Sequence, residues 1–213
     1  MDNFLPFLVQ GVAIGSGYSL LASGFVAIYR VTHIINFAQG TFAVVGAFVT
    51  VSLLSAHMWF VPAVLLGLLA AALSGLVVGL LAAYRPTLSP LSSLVITLGC
   101  ATAAYALEIA IWGDQPLSFA GLTGVFKIGP IVLERQYVVV IAAAVLLLAA
   151  FRLFFIRTYL GKALSATASN RHAAQIVGIP VRWMSLLAFS VAGLLGGVGR
   201  NFTNPTPALF VQF

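Results

Sequence analysis

Apolar residues in this chain fall into six long runs, at about 4–29, 38–56, 61–83, 91–112, 137–155 and 181–199, with short polar breaks between them. A helix needs about 20 apolar residues to cross the hydrocarbon core, so the pattern predicts six transmembrane helices. The polar segment after the fifth run, Ile156–Pro180, is different in kind. It reads IRTYLGKALSATASNRHAAQIVGIP, and Leu160, Leu164 and Ala168 recur in it at helical spacing. After a Ser169-Asn170 capping signal, Ala173, Ile176 and Val177 do the same, and Gly178-Ile179-Pro180 ends the pattern. The expectation is a pair of short amphipathic helices outside the bilayer, with an apolar face that lipid headgroups or another protein must receive.

Composition narrows the class. Hydrophobic residues make up 62% and charged residues 7% of the 213 positions, with a mean hydropathy of +1.12. A soluble domain carries about 25% charged residues, so this is an all-α, polytopic helical membrane protein. Its formal charge of +6 comes from 10 basic and 4 acidic residues. In such a chain that excess reflects loop placement and not a nucleic-acid partner. With 156–180 on the cytoplasmic side, Arg30, Arg85, Arg152, Arg157, Lys162, Arg171 and Arg182 lie inside, and Lys127, Arg135 and Arg200 outside. That partition obeys the positive-inside rule and places the N-terminus and the 113–136 loop outside. No basic residue precedes Arg30, so a cleavable signal peptide is not expected, and Cys100 alone permits no internal disulfide.

Small residues recur four apart on three runs: Gly11, Gly15, Ser19 and Ser23; Gly67, Ala71, Gly75 and Gly79; Gly193 and Gly197. Such stripes predict close helix packing in lipid. The segment Arg30–Gly40, RVTHIINFAQG, breaks the apolar pattern. One reading is a broken helix lining a transport path. The other, favoured by spacing alone, is local: Asn36 caps the second span and Gln39 completes a variant capping box. Glu108 is the only acid within an apolar run, about one turn from the outer end of the fourth, where a wetted helix end is at least as good a reading as a functional acid. Thr97 and Thr102 can satisfy their hydroxyls within their own helix and are given no role. No His, Cys or carboxylate cluster suits a metal, and no nucleophile elbow or phosphate-binding loop is present, so neither an enzyme nor a direct ATP binder is expected.

Three passages carry a resemblance: Ile35-Asn36-Phe37-Ala38-Gln39-Gly40, Tyr84-Arg85-Pro86, and Gly161-Lys162-Ala163-Leu164 through Ala173-Ala174-x-x-x-Gly178. On these the chain resembles, through 1–199, the permease subunits of branched-chain amino acid ABC importers. The third passage is similar to the family's coupling loop, a short cytoplasmic helix seated on the ATPase, with His172 where the motif has Glu. The resemblance implies coupling residues Gly161, Lys162, His172, Ala173, Ala174 and Gly178, and a translocation-path role for Asn36, Gln39 and Gly40. It implies an inner-membrane permease working by alternating access, for branched-chain amino acids or a related small amide such as urea. The implied partners are ATP-binding subunits, which bind the ATP, a second homologous permease, a soluble substrate-binding protein and membrane lipid. Family permeases usually continue for roughly two more spans, so 1–213 is expected to be a single, C-terminally incomplete permease domain. The rival is an ion-coupled secondary transporter using Glu108; a membrane-embedded enzyme or scaffold lacks a catalytic cluster.

Overall fold

The computed structural model describes residues 4–83, 89–113, 125–128 and 131–203. Tyr84-Arg85-Pro86, Asp114 and the last ten residues lie outside the described residues. Helices α1 (Phe4–Thr32), α2 (Gln39–Ser55), α3 (Phe60–Ala82) and α4 (Pro90–Trp112) come first. A short hairpin, β1 (Val125–Ile128) and β2 (Ile131–Glu134), precedes α5 (Arg135–Arg157). Two short helices, α6 (Tyr159–Ser169) and α7 (Arg171–Ile176), lead into α8 (Val181–Thr203).

The six apolar runs coincide with six helices. Five of them, within α1, α3, α4, α5 and α8, are long and apolar enough to cross a membrane. The sixth, α2, has 17 residues, about 25 Å at 1.5 Å per residue, a little less than the ~30 Å hydrocarbon thickness. The hairpin was not expected: the 113–136 segment reads as a plain loop. It pairs antiparallel with Val125 opposite Glu134 and Ile128 opposite Ile131. The β-branched residues of VFKI and IVLE favour strands, and the Gly129-Pro130 between them suits no helix.

Helix α8 is the centre of the bundle, packed chiefly on α3 and α1 and then on α2, while α4 and α5 attach at the periphery. Two of the three small-residue stripes explain this. A Cβ on Gly75 would collide with the Phe189 carbonyl, and one on Gly193 with the Ala71 carbonyl. A Cβ on Gly46 would stand 3.1 Å from the Gly67 carbonyl oxygen. These backbones approach because no side chain separates them, and dispersion contact then holds helices that gain nothing hydrophobic from leaving lipid.

The third stripe corrects the expectation. Gly11 and Gly15 are exposed, with nothing within 4 Å of a Cβ, and Ser19 and Ser23 donate to carbonyls of their own helix. The packed face of α1 runs instead through Ala13, Gly17, Leu20, Gly24, Ala27 and Val31. Hydropathy does not separate the two faces, because both are small and apolar.

Candidate functional site

Two regions carry the chemistry: the break between α1 and α2, and the helix pair α6–α7.

At the break, His33 takes a left-handed conformation (φ 57°) and its N–H still donates to the Tyr29 carbonyl at 2.8 Å, which stops α1. The next residues are non-helical and turn at Phe37-Ala38 into α2, with Ile34, Asn36 and Ala38 buried and Ile35 and Phe37 exposed. Non-helical backbone in an apolar setting must find partners for its polar groups. Here side chains supply them. The Thr32 hydroxyl accepts from the Ile34 N–H at 3.2 Å, and Asn36 Oδ1 accepts from the Ala38 N–H at 3.1 Å. Thr97 Oγ1 on α4 lies 3.3 Å from both the Phe37 nitrogen and the Ile35 oxygen, and 2.9 Å from the Leu94 oxygen of its own turn. Thr97 thus has the role that a purely local reading denied it, while Thr102 does bond within its own helix.

The capping-box reading fails here. The residue before α2 is Ala38, with no side-chain cap, and Gln39 is the first helical residue. Gln39 reaches away from its own helix, and Nε2 donates to the Ala192 carbonyl of α8 at 3.0 Å. Gly24 makes room for this tie: a Cβ there would sit 2.7 Å from Gln39 Nε2. Asn36 and Gln39 are 1% and 7% exposed, yet among the described residues Asn36 Nδ2 and Gln39 Oε1 have no hydrogen-bond partner. Each such buried orphan costs about 1–3 kcal/mol, so two together mark a strained polar site within an apolar bundle. Gly40 differs from both: it is exposed, with open space around it.

Helix α4 carries a polar seam into the bundle. Its Ser93 hydroxyl donates to the Ala82 carbonyl at 2.8 Å, Thr97 holds the break, and Trp112 Nε1 donates to Ser52 Oγ on α2 at 2.6 Å. Glu108 lies on this inward face at 6% exposure, not at a wetted helix end as its position near the outer terminus suggested. Its spacing of four from Trp112, and of eleven and fifteen from Thr97 and Ser93, sets all of them on one stripe.

In the second region Thr158 caps α6 by accepting from the Gly161 N–H at 3.0 Å, and Asn170 caps α7 by accepting from the Ala173 N–H at 3.0 Å. The Asn170 cap follows the sequence signal; the Thr158 cap was not foreseen, though a Thr three residues before Gly161 could have suggested it. Helix α7 ends in a Schellman motif. The Ile179 N–H donates to the Ala174 carbonyl at 2.9 Å and the Gly178 N–H to the Gln175 carbonyl at 3.0 Å, with Gly178 at φ 84°. The Ala-Ala-x-x-x-Gly spacing therefore has a local cause: its sixth residue, Gly178, must turn left-handed, which glycine does without strain.

The apolar face of α6 is received by this chain's own bundle. Ala163 and Leu164 join Val31, Met184 and Ala188 in one buried cluster, with Phe154, Phe155 and Ala168 packed against it. Gly161 is buried against the α5 backbone at Phe154 and Phe155, and Ala174 is 3% exposed. Lys162, His172, Ala173 and Gly178 face outward, as do Ile176 at 74% and Val177 at 75% exposure. The six coupling candidates thus divide into two that seat the helices and four that a partner could reach. Partial burial lowers the Arg171 guanidinium from its ordinary pKa, although such a group stays protonated. No cluster of metal-binding side chains occurs among the described residues.

The family model for the permease component of branched-chain amino acid transport systems matches residues 7–199. The chain is 26% identical over 220 residues to the high-affinity branched-chain amino acid transport system permease protein BraD of Pseudomonas aeruginosa, covering 92% of this chain and 69% of that protein. It is 30% identical over 205 residues to the probable branched-chain amino acid transport permease protein LivH of Methanocaldococcus jannaschii, covering 90% and 64% respectively. For the high-affinity permease protein LivH of Escherichia coli the identity is 26% over 230 residues, covering 96% and 75%. This chain therefore spans roughly two thirds to three quarters of the length of these relatives. No solved structure matches it.

Proposed function

Because this chain belongs to the permease-component family of branched-chain amino acid transport systems, we propose that it is the membrane-spanning subunit of an ATP-binding cassette importer, carrying branched-chain amino acids or a related small amide such as urea. It sits in the inner membrane with its N-terminus outside and α6–α7 in the cytoplasm, the orientation in which seven of ten basic residues lie inside. ATP is bound by partner ATPases, a second permease completes the path, and a soluble binding protein delivers the solute.

The observation that carries this reading is the build of α6–α7. Each helix has its own side-chain cap, and α6 is seated rigidly on the ends of α1, α5 and α8. Beyond it, α7 presents Ala173, Ile176 and Val177 outward. A lever needs these two properties: a firm attachment to the bundle and a bare apolar tip for the moving partner. Motion of an ATPase at Ile176 and Val177 would pass through α6 directly to α8, the helix that also holds Gln39. On this reading the break lies on the translocation path, and a second arrangement of the bundle would give partners to Asn36 Nδ2 and Gln39 Oε1, which have none among the described residues.

Ala173→Trp tests the contact, since Ala173 is exposed and its replacement disturbs nothing inside the chain. ATPase binding should weaken by roughly 5- to 150-fold, from overpacking of about 1–3 kcal/mol at the contact, and co-purification should fall with it. Membrane insertion should be unchanged. Gly178→Trp is the poorer probe, because its left-handed backbone strains any side chain. Full ATPase recovery with Ala173→Trp would reject the coupling role.

A further inference from the structure

A cleft of about 690 Å³ opens between α1, α5 and α6, distinct from both the break and the exposed tip of α7. Its lining is graded. Arg30, Phe155, Ser165 and Ser169 stand at the end next to α6, while Val26 and Phe151 stand about one turn farther along the membrane-spanning helices, with Ser23 and Ala22 beyond them. Arg30 lies in the last turn of α1, and Ala22 also lines the cleft two turns earlier, so it extends about 12 Å along that helix at 1.5 Å per residue. One cation and one hydroxyl at the membrane surface, above an aromatic slot reaching toward the bilayer centre, match a molecule with an anionic head and an apolar tail.

Charge selects further. The chain's four acids are Asp2, Glu108, Asp114 and Glu134, so the segments 30–37 and 152–182 that form this end of the bundle hold none. They carry Arg30, Arg152, Arg157, Lys162, Arg171 and Arg182. An end with this excess of basic over acidic residues attracts an anionic leaflet, at about 1 kcal/mol per basic residue near the surface. No carboxylate lines the cleft to hold an ammonium group, which argues against a free amino acid as its occupant. We propose that this cleft binds one anionic phospholipid, its phosphate on Arg30 and the hydroxyl of Ser165, and one acyl chain against Phe151 and Phe155. The lipid would lie against α6 and so wedge the seat of the α6–α7 lever.

The test is native mass spectrometry of the purified full chain, released from nanodiscs of phosphatidylglycerol mixed with phosphatidylcholine. The expected result is one retained phosphatidylglycerol per chain, reduced about tenfold in Arg30→Gln and in Ser165→Trp, which obstructs the cleft from the exposed face of α6. Arg152→Gln, which removes a neighbouring charge outside the lining, should retain it. Equal loss in Arg152→Gln would mean diffuse surface attraction and would overturn the site. Retention in both cleft variants, displacement by millimolar inorganic phosphate alone, or displacement by free leucine would also overturn it. The last two would assign the cleft to a free anion or to the transported solute. None of the coupling tip's residues, Ala173, Ile176 and Val177, is altered, so these outcomes stand apart from those of Ala173→Trp.

Discussion

Helices α5 and α8 are both membrane spans, yet 11% of the α5 window is buried and 67% of the α8 window. The order is opposite to their hydropathy, since α5 is the more apolar of the two. In water this would be paradoxical, because burial there follows apolar area. In a bilayer the lipid already offers an apolar environment, so a strongly apolar helix such as α5 gains little by turning inward. The inner place goes to the helix whose glycines admit close backbones. Gly193 lies on the Ala71 carbonyl, and Gly199 leaves the Gly17 carbonyl oxygen 3.0 Å from where its Cβ would be. Helix α4 shows a third solution: a peripheral helix held by Ser93, Thr97 and Trp112 through hydrogen bonds instead of small-residue contact.

The sharpest way to break this comparison is to give the central helix a side chain. Gly193→Leu places a branched group where a Cβ alone already meets the Ala71 backbone. Neither α3 nor α8 can relax there without separating, and overpacking of this kind costs about 1–3 kcal/mol or more. The expected outcome is a marked loss of thermal stability in detergent, or failure to accumulate in the membrane. A leucine at the exposed Val145 of α5 should leave the unfolding temperature where it was. If both variants behaved alike, the central position of α8 would not depend on glycine contact.

A smaller effect is expected on the polar side of the comparison. Thr97→Val keeps shape and removes the hydroxyl that joins α4 to the Ile35–Phe37 backbone. The buried amide and carbonyl left behind should cost about 1–3 kcal/mol in all, with most of the loss local to the break. Hydrogen exchange would detect it as faster exchange of the Phe37 amide, with the α3–α8 contact unchanged. Thr102→Val is the matched control, since that exposed hydroxyl bonds only to Leu98 and Gly99 of its own helix. Equal exchange in the two variants would remove Thr97 from its place as the tie.

What the sequence made legible follows the same physics. Span positions were readable, because the contrast between bilayer and water is written in hydropathy; so were the Asn170 cap and the Gly178 stop, because caps and left-handed turns demand particular residue types. The contacts across the bundle were not. Gln39 fits a capping box by spacing, and only the approach of Ala192 and the room left by Gly24 redirect it to α8. Thr97 has a carbonyl of its own turn within reach, so nothing local announces a second bond 60 residues away. Glu108 near a helix end reads as wetted until α4 is rotated so that its stripe faces the bundle. Residue by residue, whatever depends on a helix's rotation about its axis was hidden, because lipid and protein interior are equally apolar.

The smallest expected effect tests that blindness directly on α1. Gly11-Gly15-Ser19-Ser23 and Ala13-Gly17-Leu20-Gly24 are alternative faces of one helix, and only the second is packed. Gly15→Leu adds a side chain into open space. A mid-helix glycine is itself unfavourable by about 0.5–1 kcal/mol relative to alanine, so the substitution should be neutral or slightly stabilising for the isolated chain. Gly17→Leu on the other face should destabilise, because Gly17 is buried and its carbonyl faces Gly199. Thermal unfolding of both variants in the same detergent decides between the faces. A loss for Gly15→Leu as large as that for Gly17→Leu would show that α1 is rotated from the position described, and the cleft beside Val26 and Arg30 would then have to be redrawn with it.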